Sequence, residues 1–503
     1  MTPSHPRLPG LALATLALAC PPAFSAPVDP DVFAQARREG VVDALIVLRD
    51  QSAPSLAPLD GDADYKLRRR ALVDALRSRA STQQAGLRGW FGARGIEYRA
   101  YWIANMIWAR LPAGDLAALA RRADVARVAA NPRIAARLPL PEGRPTATAV
   151  PLAIEWGVAK IDAPRVWSAG FDGQGVVIGG EDTGYQWDHP ALKSQYRGWD
   201  GSAADHAYNW HDAVHSNADT NVCGVDSPFP CDDYGHGTHT AGTFAGDDGA
   251  GHQIGVAPGA QWIGCRNMDG GIGTPARYVE CMQWMLAPTD ADDANPDPDK
   301  APDVVSNSWT CTSDEGCTTG DELAAAVDNL VAGGLFFVAG AANEGPACGT
   351  IANEPAILDA SFVVGMTDSS DALDADSSRG PAPGTGRIRP DVSAPGVGIL
   401  SSVPGDDYGV MSGTSMATPH VAGAAALLMS VNPALKGHPQ RVADLLRSTA
   451  ATGDVTDPWN SGCGGLTMAS WPNYQAGYGR IDAYAAAVLA DTILKDGFDG
   501  AGQ

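Results

Sequence analysis

Residues 413–429 read GTSMATPHVAGAAALLM. A glycine, small polar residues and a proline lead into a run of alanines, leucines and a methionine. The run reads as a buried helix. Pro419 is tolerated because the first helical turn has no N–H partner to lose. Gly413 lets another backbone come close. Ser415 at this junction stands beside free N–H groups and the positive end of the helix dipole. A lone serine at a helix start is usually a cap, so its neighbours decide its role.

Outward from this helix, apolar strands alternate with helical stretches: GVVIGGED (175–182), QWIGCRNMD (261–269), PDVVSNSWT (302–310), LFFVAGAANE (335–344) and SFVVGMTD (361–368). That alternation predicts an α/β fold, a parallel sheet wrapped by helices. In such sheets functional groups gather at the carboxyl ends of the strands. One strand ends in Asp182 and another leads to Asn343, while His236 stands at a glycine-flanked helix start in DDYGHGTHTAG (232–242). Singly, these residues read as a cap, a turn and half of a metal pair (HGTH) that lacks an acidic third ligand. Together they are the parts of a nucleophilic catalyst. A serine hydroxyl needs a base to take its proton. A histidine serves when a carboxylate fixes its tautomer. The oxyanion then needs preorganised donors, such as a side-chain amide and a helix-start N–H.

Four motifs carry a family resemblance: EDTG (181–184), GHGTHTAG (235–242), AANEG (341–345) and GTSMATPHVAG (413–423). In that order they resemble the subtilisin-like serine proteases, the subtilase family, over residues 152 to about 490. YRGW (196–199), NPDPDKAPDVVSNSW (295–309) and the cysteine loops are most similar to the bacillopeptidase F-like branch. The resemblance implies a mainly parallel seven-stranded sheet with helices on both faces. It implies a serine endopeptidase in which Ser415 attacks, His236 is the base, Asp182 orients it, and Asn343 with the Ser415 N–H holds the oxyanion. It also implies that Ser308, Trp309 and Thr310 line the cleft, with Thr310 where the family usually has glycine, and that Asn353 and Glu354 lie at the pocket floor. No cofactor is needed for the chemistry. Many relatives bind structural calcium through an acid that is Ala191 here, in DHPAL (188–192), and a later loop has His252 where asparagine is common. The acidic stretches 290–299 and 368–376 offer oxygens for calcium elsewhere.

The first 25 residues, with Arg7, a short apolar core and small residues Ala23 and Ser25, read as a secretory signal peptide rather than a buried helix or a lipidated Cys20. Residues 26–137 follow a strand–helix–strands–helix–strand order, with one long helix over 64–95, and predict a small ferredoxin-like α+β domain. By the same resemblance it is a propeptide, an inhibitor and folding aid whose last segment lies in the cleft. Residues 138–151, LPLPEGRPTATAVP, are a linker and processing region. The catalytic domain then spans 152–490, and 491–503 is a short acidic tail. Charge divides at the linker: residues 27–150 hold 19 Lys+Arg against 13 Asp+Glu, and residues 151–503 hold 15 against 45. The acidic part argues against nucleic acid as a partner and favours docking of the more basic segment on it. Polypeptide substrates and the chain's own propeptide are the expected partners of a secreted monomer without stable membrane insertion.

Apart from Cys20, eight cysteines remain: Cys223, Cys231, Cys265, Cys281, Cys311, Cys317, Cys348 and Cys463. An even number in an exported chain predicts disulfides, with 105 possible pairings. Proximity suggests Cys223–Cys231 and Cys311–Cys317, leaving Cys265–Cys281 and Cys348–Cys463 as longer links. Two alternatives stay open. A catalytically inactive subtilase-fold binding protein would lack turnover, and an esterase would ordinarily carry a G-x-S-x-G elbow.

Overall fold

Strands buried on both faces form the centre of the molecule. The computed structural model describes residues 25–51, 64–135, 138–141, 153–216, 222–312, 317, 322–460 and 462–495. Residues 1–24, on which the expected signal peptide falls, most of the expected linker and residues 496–503 lie outside them.

The N-terminal domain begins with helix α1 (Pro30–Glu39) and strand β1 (Val41–Leu48), followed by α2 (Tyr65–Gln83) and α3 (Ala85–Gly92). Then come β2 (Glu97–Tyr101), β3 (Met106–Pro112), α4 (Leu116–Ala120), β4 (Val125–Ala130) and the short β5 (Ile134–Ala135). Its four-stranded sheet has the order β2-β3-β1-β4, with β1 antiparallel to both β3 and β4. The long helix expected over 64–95 is two helices. They meet at Gln84, which keeps a helical backbone conformation while its amide turns inward, donating to Tyr101 O at 3.1 Å and Asn105 Oδ1 at 3.2 Å.

The larger domain starts with α5 (Trp156–Lys160), α6 (Ala163–Ser168), β6 (Val177–Asp182), β7 (Trp210–Asp212), α7 (His236–Ala245), β8 (Gln261–Arg266), β9 (Ile272–Gly273) and α8 (Pro275–Leu286). It continues with β10 (Val304–Asn307), α9 (Ala324–Ala332), β11 (Phe336–Gly340), β12 (Phe362–Thr367) and β13 (Val392–Pro395). The hairpin β14 (Ile399–Val403) and β15 (Asp407–Met411) leads into α10 (Thr414–Val431), followed by α11 (Pro439–Ser448) and α12 (Ala483–Lys495). Seven strands in the order β13-β12-β11-β10-β6-β8-β7 make the central sheet, and every neighbouring pair is parallel. The tail expected from 491 is helical to Lys495, because α12 packs on α10 and α6.

Every residue of α10 is buried. Its small residues permit this. A Cβ on Gly423 would stand 2.6 Å from Val256 Cβ and 2.9 Å from Phe244 O, so α10 and α7 approach at van der Waals contact. Four disulfides staple the larger domain: Cys223–Cys231, Cys265–Cys281, Cys311–Cys317 and Cys348–Cys463. Among the described residues no helix is long and apolar enough to cross a membrane.

The two domains share an apolar cluster. Leu45, Leu72, Leu76, Ile103 and Met106 pack with Val279, Met282, Val327 and Leu330 of α8 and α9. Arginines cross the same boundary, Arg127 to Glu322 at 3.2 Å and Arg133 to Asp269 at 3.0 Å. Asn329 Nδ2 donates to Ile103 O at 2.7 Å.

Gly423→Ala places a methyl in the contact between α10 and α7. Overpacking of this kind costs about 1–3 kcal/mol. Thermal unfolding of the variant should show a melting temperature several degrees lower.

Candidate active site

The carboxyl end of the central sheet gathers the predicted residues. Asp182 is the last residue of β6, and Asn343 follows β11. His236 opens α7 and Ser415 lies in the first turn of α10. Gly235, which precedes His236, has φ of 100°, a left-handed conformation for which glycine is suited.

His236 Nδ1 lies 2.7 Å from Asp182 Oδ1, with both side chains buried. A carboxylate only accepts, so Nδ1 donates and the neutral ring presents Nε2 as a base. Nε2 is buried and has no hydrogen-bond partner among the described residues. Ser415 Oγ donates instead to Ser308 O at 2.9 Å, and Ser308 Oγ returns a bond to Ser415 O at 2.9 Å. The predicted cleft residue Ser308 therefore lies directly against Ser415. Ser415 Oγ and His236 Nε2 are therefore not hydrogen-bonded to each other in this arrangement.

Asn343 Oδ1 accepts from Thr414 N at 2.9 Å and from Thr414 Oγ1 at 3.1 Å. That fixes the amide with its N–H groups available to an oxyanion beside Gly413. The preceding Ala342 has φ of 77°, a sparsely populated conformation for a residue with a Cβ, of the kind found at functional sites.

Asp232 is the residue that sequence reasoning missed. Its Oδ1 accepts from Thr183 Oγ1 at 2.9 Å, Tyr234 N at 3.0 Å and Gly235 N at 2.8 Å. Its Oδ2 accepts from Thr238 N at 3.0 Å and Thr238 Oγ1 at 2.6 Å. One carboxylate thus ties the end of β6 to the first turn of α7, holding Asp182 and His236 in register. An acid four residues ahead of a histidine at a helix start was the available signal. Arg266 supports the same loop from within, pairing with Asp212 at 3.1 Å and with Asp233.

The other predicted residues divide. Trp309 is buried, donates to Glu181 O at 2.8 Å and stacks on Tyr278 at 4.0 Å between centroids, so its indole faces the interior. Thr310 and Asn353 are partly exposed. Glu354 carries the bridge to Cys311, which follows Thr310, with Cys311 N donating to Glu354 O at 2.7 Å. Its carboxylate turns inward and accepts from Leu323 N at 2.9 Å. The second histidine of HGTH, His239, contacts Ile399 O and Gly409 O, each at 3.1 Å. Burial pushes its pKa down to about 3, which keeps it a neutral packing residue.

The calcium positions implied by the resemblance do not fit an ion. Ala191 is buried and offers a methyl group, and His252 Nδ1 is paired with Asp248. In the acidic stretches, Asp290 and Asp368 accept backbone N–H groups of their own loops. Cys317, Glu322 and Glu354 converge, but the Cys317 sulfur is engaged in the disulfide to Cys311.

The N-terminal domain reaches into this region. β5 pairs antiparallel with β9 through Ile134↔Gly273 and Ala135↔Ile272. Tyr234 Oη donates to Leu138 O at 3.3 Å. Pro139 Cγ lies 2.9 Å from where a Cβ on Gly413 would stand.

The sequence model described as "Subtilase family" (Peptidase_S8) matches residues 173–476, which include all four predicted catalytic and oxyanion residues. The chain is 41% identical over 354 residues to bacillopeptidase F of Bacillus subtilis (strain 168), covering 68% of this chain and 22% of that protein. It is 32% identical over 300 residues to subtilisin E of the same organism, covering 59% of this chain and 66% of that protein. It is also 32% identical over 321 residues to the serine protease AprX, again from that organism, covering 58% and 65%. The match thus spans about a fifth of bacillopeptidase F and just under two thirds of the other two.

Glu181, beside Asp182, is buried with neither carboxyl oxygen hydrogen-bonded, and burial raises its pKa well above 4.5. The unfolded chain therefore releases this proton first, and rising pH favours unfolding. Glu181→Gln in a Ser415→Ala background should gain stability over its parent as pH rises from 4 to 8. Paired melting curves across that range check this.

Proposed function

The chain belongs to the subtilase family, and on that premise we propose that it is a serine endopeptidase made as an exported prepro-enzyme. The observation that carries the reading is the buried 2.7 Å bond from His236 Nδ1 to Asp182. It leaves the opposite ring nitrogen without a partner among the described residues, at the sheet end where Ser415 and Asn343 also stand.

The chemistry follows from these positions. Ser415 Oγ, turned from the Ser308 carbonyl, bonds to the scissile carbonyl carbon while His236 Nε2 takes its proton. The carbonyl oxygen becomes an oxyanion that accepts from Asn343 Nδ2 and the Ser415 N–H. His236 returns the proton to the leaving amine, the C–N bond breaks, and an acyl-enzyme remains. Water, deprotonated by the same imidazole, then attacks the ester and frees Ser415. Asp182 stabilises the imidazolium throughout without taking the proton.

Residues 26–137 act in this reading as a propeptide, and the cut falls in or beside 138–151. Support comes from the β5–β9 pairing, a two-stranded antiparallel ladder that ties residues 134–135 to the larger domain. Pro139 against Gly413 supports the same path. Export rests on the first 25 residues and on the disulfides, which persist in oxidising compartments.

Ser415→Ala should abolish casein hydrolysis and leave the full chain uncut, as judged by intact-mass measurement. Undiminished hydrolysis by that variant would reject the reading. Asn343→Ala should lower kcat about 10²–10³-fold with a modest change in KM, the range known for removing one oxyanion donor in a subtilisin. Steady-state kinetics on a peptide substrate measure this.

A further inference from the structure

The first turns of α2 carry Arg68, Arg69 and Arg70 in succession, and all three reach the larger domain. Arg69 is 1% exposed. Its Nε donates to Gly333 O at 2.8 Å and its Nη1 to Pro298 O at 3.4 Å. Gly333 caps the carboxyl end of α9, the negative pole of that helix. Arg70 forms a two-point pair with Asp299, Nε to Oδ1 at 2.8 Å and Nη2 to Oδ2. Arg68 donates to Gly437 O. Gly437 has φ of +77°, and a Cβ there would stand 2.1 Å from Tyr65 Cβ, so this turn is shaped to admit the start of α2.

These acceptors belong to segments that enter β10 and β11 or follow α10. They lie at the amino end of the parallel sheet, while Asp182 and Asn343 stand at the carboxyl end. One strand length, roughly 15 Å, separates the two ends. Three of the acceptors are backbone carbonyls fixed by the larger domain's own fold, so they persist whether or not α2 is present. Carbonyls at a helix terminus and a carboxylate met by two guanidinium nitrogens favour arginine over lysine.

We propose that the amino end of the sheet carries a guanidinium-binding site for an arginine-bearing helix. Its occupant is α2, and it holds the N-terminal domain independently of the segment in the cleft. This goes beyond the peptidase reading and does not require it.

The test uses the full chain carrying Ser415→Ala and an engineered cleavage site within residues 142–150. After an added protease nicks that site, release of the fluorescently labelled N-terminal piece is followed by anisotropy. Arg69→Met should speed release at least tenfold, and Arg69→Lys should not restore the parent rate. Arg70→Gln, at an exposed pair, should speed release about two- to fivefold and flatten the acceleration seen between 0.05 and 0.5 M salt. Asp299→Asn should match it, and the double variant should be no faster than either single one. Release within twofold of the parent for both Arg69 variants, with the salt response unchanged in Arg70→Gln, would overturn the proposal. Should Arg69→Met fail to fold, Asp299→Asn reads the same surface from the other side, and an unchanged rate and salt response there counts against the site.

Discussion

The bond between His236 and Asp182 constrains everything around it. A buried carboxylate is costly unless its lone pairs are met, and here the imidazole N–H and the Thr183 N–H at 2.7 Å meet one oxygen. To keep that bond, the end of β6 and the start of α7 must hold a fixed separation. Asp232 does this with five accepted hydrogen bonds, and Arg266 braces the connecting loop from beneath. The parallel sheet sets the position of β6, while the close approach of α7 and α10 at Gly423 sets where Ser415 can stand.

The motif residues were readable because each obeys a local rule. A glycine with positive φ precedes His236, small residues precede Ser415, and apolar runs lead to a polar residue at the carboxyl end of the sheet. The parallel sheet followed from alternating strands and helices. What escaped depends on distant contacts. The helix read over 64–95 is divided at Gln84, whose amide meets Tyr101 and Asn105, groups brought near only by folding. Trp309 and Glu354, expected from the resemblance at the cleft, instead turn their polar groups inward to Glu181 O and Leu323 N. The helix α1 was legible in principle from Pro30 and Gly40 at its ends.

Charge and apolar burial divide the work of joining the two domains. The cluster around Leu45, Leu76, Met282 and Leu330 supplies contact area without direction. The arginines supply direction: Arg127 and Arg133 near the cleft side, and Arg68 to Arg70 along α2. The excess of acid in the larger domain thus has specific recipients among its neighbours and is more than a solubilising surface. Beyond these contacts, β5 pairs with β9 and Pro139 stands against Gly413.

The bridge from Cys348 to Cys463 encloses a sequence separation of 115 residues, and Ser415 lies inside that span. On the endopeptidase reading proposed above, the chain is exposed to cutting by copies of itself. A single backbone nick anywhere between those two cysteines leaves both fragments covalently tethered, so the helix bearing Ser415 cannot drift away from the loop bearing Asn343. Damage by a sibling molecule would have to strike outside the loop, or twice within it, before the machinery came apart.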